Sequence, residues 1–112
     1  MPHIIVEYCD TLTALDVPKL VMDLHEDLGA RESVDIHGIK SRAIPVQYVL
    51  VGDQKDYNKL IHITLKLLPG RSDELKREMA QGLADIAHKS THDDRVAVTC
   101  EVTELHAESY IK

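Results

Sequence analysis

Two stretches of this chain carry the same short signature and lead into the same succession of elements. Pro2-His3-Ile4-Ile5-Val6-Glu7-Tyr8 and Ile61-His62-Ile63-Thr64-Leu65-Lys66-Leu67 each join a His-Ile pair to alternating apolar positions. A turn, a helical pattern and a further strand-like run follow each of them, so the order strand, helix, strand occurs twice in 112 residues. Parallel strands need a crossover, which a helix supplies, and that crossover is right-handed. The expected fold is therefore α/β. It is one domain over residues 1–112, in which two consecutive β-α-β units form a four-stranded sheet with both helices on one face.

The elements are read from periodicity and end signals. His3 to Cys9 is a strand with Ile4, Val6 and Tyr8 on one face. A turn over 10–15 leads to Asp16 as N-cap, with Pro18 in the first helical turn, where a missing N–H costs little. Leu20, Leu24 and Leu28 give the buried stripe, and Gly29 is placed as the C-terminal cap. Ile39–Ile44 and Val46–Val51 form one strand interrupted by Pro45, which marks a break or an edge. A polar turn over 52–57 precedes the strand Leu60–Leu68, and Pro69-Gly70-Arg71 turns the chain into a helix capped by Ser72. Leu75, Met79, Leu83 and Ile86 are its buried stripe, and Arg95–Glu104 is the closing strand.

Trp and Phe are absent, so the core must be built from Ile, Val, Leu, Ala and Met. A two-layer domain of this size has a limited interior, and the helix-free sheet face is expected to expose aliphatic side chains. Both points suggest association with further copies of the chain. No signal-peptide pattern and no apolar run near the ~20 residues of a bilayer span is present, which implies a cytoplasmic protein. Cys9 and Cys100 lack metal-type spacing and are expected as free, buried thiols. A net charge of −6 argues against nucleic acid as partner, and any anionic substrate then requires a local basic cluster.

Four residues meet the requirements of such a site. Pro2 stands immediately before the first strand, and processing of initiator methionine ahead of a small residue would expose it as a secondary amine. An α-amine titrates near ~7.7–8.0; burial and neighbouring cations both favour its neutral form, which serves as a general base. Lys40 and Arg42 lie two apart in a strand and share a face. Arg71 directly precedes a helix whose first N–H groups have no intrahelical partner, a setting that suits an anion. His88 and His92, four apart, could offer metal ligands on one helical face, yet a place in the last helical turn and its frayed end accounts for them better. His3 and His62 are read as structural, and no Walker, dinucleotide-binding, CxxC or GxSxG pattern is present.

The segments "MPHIIVEY", "GIKSRA", "DYNKLIHITLKLLPGRS" and "CEVTELH" together resemble the 5-carboxymethyl-2-hydroxymuconate isomerase family, within the tautomerase superfamily. The resemblance spans nearly the whole chain with the segments in the family's order. It implies a homotrimer of duplicated β-α-β subunits, with no cofactor and no metal. The implied activity is proton transfer between a dienol and its conjugated enone in a small anionic dicarboxylate or tricarboxylate. By position, Pro2 is implied as the catalytic base and Arg71 as a carboxylate-binding residue, with Lys40 and Arg42 beside it.

The family's central motif reads GIRSR, and here it is Gly38-Ile39-Lys40-Ser41-Arg42. Lysine keeps the charge but lacks the planar fork that holds a carboxylate at two points. Two other readings therefore stand beside the isomerase. One is a tautomerase acting on a different enolisable acid, and the other a non-catalytic trimeric binding protein.

Overall fold

Parallel pairing closes each strand–helix–strand stretch on itself. In a computed structural model describing residues 1–112, strand β1 (His3–Cys9) is followed by helix α1 (Val17–Gly29), a 3-10 turn (Ile36–Gly38) and strand β2 (Lys40–Val46). Strand β3 (Lys59–Leu67), helix α2 (Asp73–Ser90) and strand β4 (Val96–Glu104) repeat the order, and a 3-10 turn (Ala107–Ser109) ends it. β1 pairs in parallel with β2 and β3 with β4, while the two halves join through antiparallel β1 and β3. The sheet order is β2-β1-β3-β4, so the strands that open the two halves are central and the strands that close them are edges.

The alternation read from the sequence sorts the faces. Ile4 lies opposite Leu65 and Val6 opposite Ile63, and all four are fully buried. With Ile61 and Leu67 they form the sheet side of one core cluster, joined by Leu20, Leu24 and Leu28 of α1 and Met79, Leu83 and Ala87 of α2. Both helices therefore cover one face. Each side chain so buried contributes roughly 1.5–3 kcal/mol relative to exposure. The predicted caps form: Asp16 accepts from the Lys19 N–H at 3.1 Å, and Ser72 Oγ from the Leu75 N–H at 3.1 Å. No helix is long and apolar enough to cross a membrane.

Four expectations require correction. Gly29 is not the cap of α1 but its last residue, and Ala30 follows with φ of −81°. Its lack of a side chain is needed for packing, because a Cβ there would lie 2.7 Å from Ile36 Cγ1 and Cδ1. The segment after Pro45 is not a strand beyond Val46: β1, the one partner of this edge strand, ends at Cys9 opposite Val46, and Tyr48 and Leu50 beyond it are each 86% exposed. Pro45 itself sits within β2 opposite Tyr8, as the edge alternative allowed. In α2 the fully buried third position is Ala87, with Leu75 and Ile86 packed at the margin of the core.

The helix-free face is also more polar than expected. Strand registers set Glu7 beside His62 and His62 beside Thr99, and place His3 between Lys40 and Lys66. Aliphatic side chains reach this face at Ile5, Ile44 and Leu60, because most outward positions of β1 and β3 carry polar groups. Both cysteines are free, Cys9 buried and Cys100 half-buried. Burial, aided by Glu101, pushes the Cys100 thiol up to about 11, far from the range of a reactive thiolate.

Loss of core volume should outweigh loss of a cap. Leu65→Ala is expected to lower the unfolding free energy by about 2–5 kcal/mol, and Ser72→Ala by about 1 kcal/mol. Urea titrations at fixed protein concentration, compared by midpoint at unchanged slope, test both values.

Candidate active site

Pro2 is buried, and its carbonyl accepts from the Lys40 N–H at 3.0 Å. This bond carries the β1–β2 pairing one residue past the His3–Lys40 match, so the start of the chain is fixed to the sheet. Met1, half-buried, bears the amino group, with its Sδ over Gly38. That amine titrates below its ordinary value. Burial is the first cause, followed by the positive charges of Arg71, Lys112 and Lys40, while Asp35 opposes them. Two of the cations read from the sequence, Lys40 and Arg71, thus act on the chain terminus together.

Local structure explains how each comes to be there. Ser41 turns inward and bonds His25 Nδ1 of α1 at 2.7 Å. The flanking Lys40 and Arg42 must then project to the opposite, helix-free face. Arg71 follows Gly70, whose φ of +124° is open to glycine and strained for other residues. Its guanidinium is held from the first half of the chain, Nη2 donating to the Ser33 carbonyl at 2.7 Å and Nε reaching Ser33 Oγ at 3.4 Å. Two of its donor groups are engaged there, in a fork that has five N–H groups to give.

Arg42 has a different neighbour from the one expected. Its Nη1 donates to His3 Nδ1 at 3.1 Å. A guanidinium has no acceptor, so Nδ1 is unprotonated and the neutral ring carries its proton on Nε2. Nε2–H then donates to the Tyr110 hydroxyl at 2.7 Å, with the two rings edge-on at 84° and 5.7 Å between centroids. Burial first, then Arg42, Lys40, Lys66 and the amino terminus, hold His3 below the ordinary histidine value. The basic end of the sheet therefore includes His3, read from the sequence as structural, together with Tyr110 and Lys112, which the sequence reading did not single out. His3 shares its strand face with the positions facing Lys40 and Arg42, which was a usable signal. Nothing local to the last residues signalled that they fold back over the start of the chain.

The largest surface cleft, about 800 Å³, lies elsewhere and contains none of Pro2, Lys40, Arg42 or Arg71. It runs between the helices and is lined by Asp16, Asp23, Glu26 and Asp27, with Lys19 and Lys89 as counter-charges. A lining of that sign repels an anion, so chemistry outweighs volume and the amino-terminal cluster is the better candidate. His88 lies in the last turn of α2, while His92 falls beyond the helix end at Ser90. No group of three or more His, Cys, Asp or Glu side chains is arranged to hold a metal ion.

The Arg42–His3 contact gives a titration with a definite sign. His3 is expected to protonate at lower pH than a free histidine near ~6.5, and Arg42→Met should raise its midpoint, both read from imidazole proton shifts by NMR. The unfolded chain binds this proton at the ordinary value and the folded chain only below it. His3 therefore withdraws stability as pH falls through the window between the two, and none above it.

Comparison with known proteins takes in nearly the whole chain. A model of the 5-carboxymethyl-2-hydroxymuconate isomerase family matches residues 2–112. The 5-carboxymethyl-2-hydroxymuconate Delta-isomerase of Escherichia coli is 33% identical over 114 aligned positions, covering 95% of this chain and 88% of that protein. The crystal structure of a 5-carboxymethyl-2-hydroxymuconate isomerase from Deinococcus radiodurans R1 superposes with a TM-score of 0.87 at 25% identity, over 99% of this chain and 87% of that one. A fused 4-OT wild-type symmetric trimer shares the fold at a TM-score of 0.72 and 16% identity, over 91% of this chain and 85% of its own. Matched along almost its full length in sequence and in fold, this chain is a tautomerase-fold isomerase and belongs to the 5-carboxymethyl-2-hydroxymuconate isomerase family.

Proposed function

We propose that the protein interconverts a dienol and its conjugated enone in a small anionic keto-enol acid such as 5-carboxymethyl-2-hydroxymuconate, with Pro2 as the base. The observation that carries this reading is the depressed titration of the terminal amine under burial and the charges of Arg71, Lys112 and Lys40. Removal of Met1 transfers the amine to Pro2, which is itself buried and pinned through its carbonyl to Lys40. A secondary amine in that setting is pushed toward its neutral form, the form able to accept a proton.

The step balances without an added reagent. The neutral amine takes the enol O–H proton, leaving a dienolate and a secondary ammonium. The ammonium then delivers a proton to a carbon further along the conjugated system, giving the enone and restoring the amine. Lys40, Arg42 and Arg71 bind the carboxylates. At least one of these cations also meets the oxygen on which charge develops, because only stabilisation that is greater in the transition state accelerates the reaction. The chain acts as a homotrimer in this reading, in keeping with the symmetric trimer among its structural neighbours. A second reading, a tautomerase for another enolisable acid, is favoured by Lys40, which offers a point charge where a planar fork would grip two oxygens.

Intact mass and an ultraviolet assay of dienol loss test the mechanism together. The purified protein is expected to lack Met1 and to isomerise the dienol, with rate rising as pH passes upward through the amine's depressed pKa and then levelling. Pro2→Ala, which presents a primary amine, should lose most activity at neutral pH. Arg71→Ala should raise KM by about tenfold or more, the scale of a lost charge-assisted hydrogen bond. Retained Met1 in an active enzyme, or full activity in Pro2→Ala, would sink the proline mechanism. A panel of enolisable acids ranked by kcat/KM separates the two substrate readings.

A further inference from the structure

The Tyr110 hydroxyl has one hydrogen-bond partner in the protein, the Nε2–H of His3 at 2.7 Å. Because Arg42 fixes the ring as the Nε2–H tautomer, the phenolic oxygen is the acceptor in that bond. Its own proton is therefore committed to no protein group. The location is the basic end of the sheet. His3 directly follows Pro2 and lies across from Lys40 on one side and Lys66 on the other. Two residues beyond Tyr110, Lys112 is near enough to act electrostatically on the chain terminus.

We propose that Tyr110 is a ligand-binding residue of this site, its hydroxyl donating to an anionic oxygen of the bound acid while His3 serves as the residue that positions it. This rests on the reading of the site as a centre for anionic keto-enol acids. A donor so placed differs from Lys40, Arg42 and Arg71 in kind. The three cations attract carboxylates from a distance, whereas a neutral hydroxyl held at one point discriminates by where its acceptor lies. The chain Arg42–His3–Tyr110 also resists reversal. Were the tyrosine to donate to Nε2, the ring would need its proton on Nδ1, directly against the guanidinium. The hydroxyl is thus oriented before the ligand arrives, which lowers the cost of ordering it on binding.

The test uses the full-length protein and two probes: adipate, a dicarboxylate with no enol to react, followed by calorimetry, and 5-carboxymethyl-2-hydroxymuconate, followed by steady-state kinetics. Tyr110→Phe keeps the ring and removes the hydroxyl. It is expected to weaken adipate by about tenfold and to raise KM by a similar factor, the scale of a hydrogen bond to a charged group, with kcat changed by about threefold at most. His3→Ala should reproduce that loss, and His3→Gln, whose amide still donates to the phenolic oxygen, should recover part of it. Unchanged adipate affinity in Tyr110→Phe overturns the proposal, as does a wild-type protein that does not bind adipate. The same follows if His3→Ala leaves both probes unaffected. A wild type that binds adipate in a Tyr110-dependent way yet isomerises nothing would remove the proton-transfer reading and leave the Tyr110 assignment in place. An active enzyme indifferent to Tyr110→Phe would do the reverse.

Discussion

The parallel pairing of β1 with β2 is the constraint on which the site depends. Its register sets His3 against Lys40 and Ile5 against Arg42, and its continuation sets the Pro2 carbonyl against the Lys40 N–H at 3.0 Å. A shift by one residue would turn Lys40 and Arg42 toward the core and Ser41 outward, since every side chain changes face with a one-residue slip. The His25–Ser41 bond opposes that slip from the helix side, and the burial of Ile4 and Val6 opposes it from the sheet. Backbone pairing therefore does two things at once: it anchors the first residues of the chain and decides which charges face them.

Charge is distributed in keeping with this. The chain as a whole is acidic, at −6, and its roomiest cleft is lined by carboxylates. Against that background Lys40, Arg42, Lys66, Arg71 and Lys112 gather around one end of the sheet, felt by His3 or by the terminal amine. A small anion repelled by most of the surface meets a local field of the opposite sign there. Burial is the first cause of the amine's lowered pKa, and the field that would attract the anion adds to it.

The fold was largely legible because its signals are local. Alternation in Ile61–Leu67, the Leu20, Leu24, Leu28 spacing and the caps at Asp16 and Ser72 each follow from the chemistry of a few neighbouring residues, and each is found. Where reading failed, the deciding contact was remote. Gly29 is set by Ile36 across the loop, and the strand stops at Val46 because its one partner, β1, ends opposite it at Cys9. Of the candidate site residues, Pro2, Lys40 and Arg71 were singled out by position and charge, and Lys40 and Arg71 both act on the terminal amine. Arg42 was legible as a charge but not as the partner of His3. Tyr110 and Lys112 were invisible, because their relation to Pro2 exists only after more than a hundred intervening residues have folded.

Ser33 and Arg71 belong to different halves of the repeated order, and their contact ties the loop after α1 to the turn before α2. The site is consequently shared across the repeat. Pro2, Lys40 and Arg42 come from the first unit, Arg71 and Tyr110 from the second and its tail. A chain cut between β2 and β3 would leave Pro2, the proposed proton acceptor, on one fragment and Arg71, a proposed anion anchor, on the other.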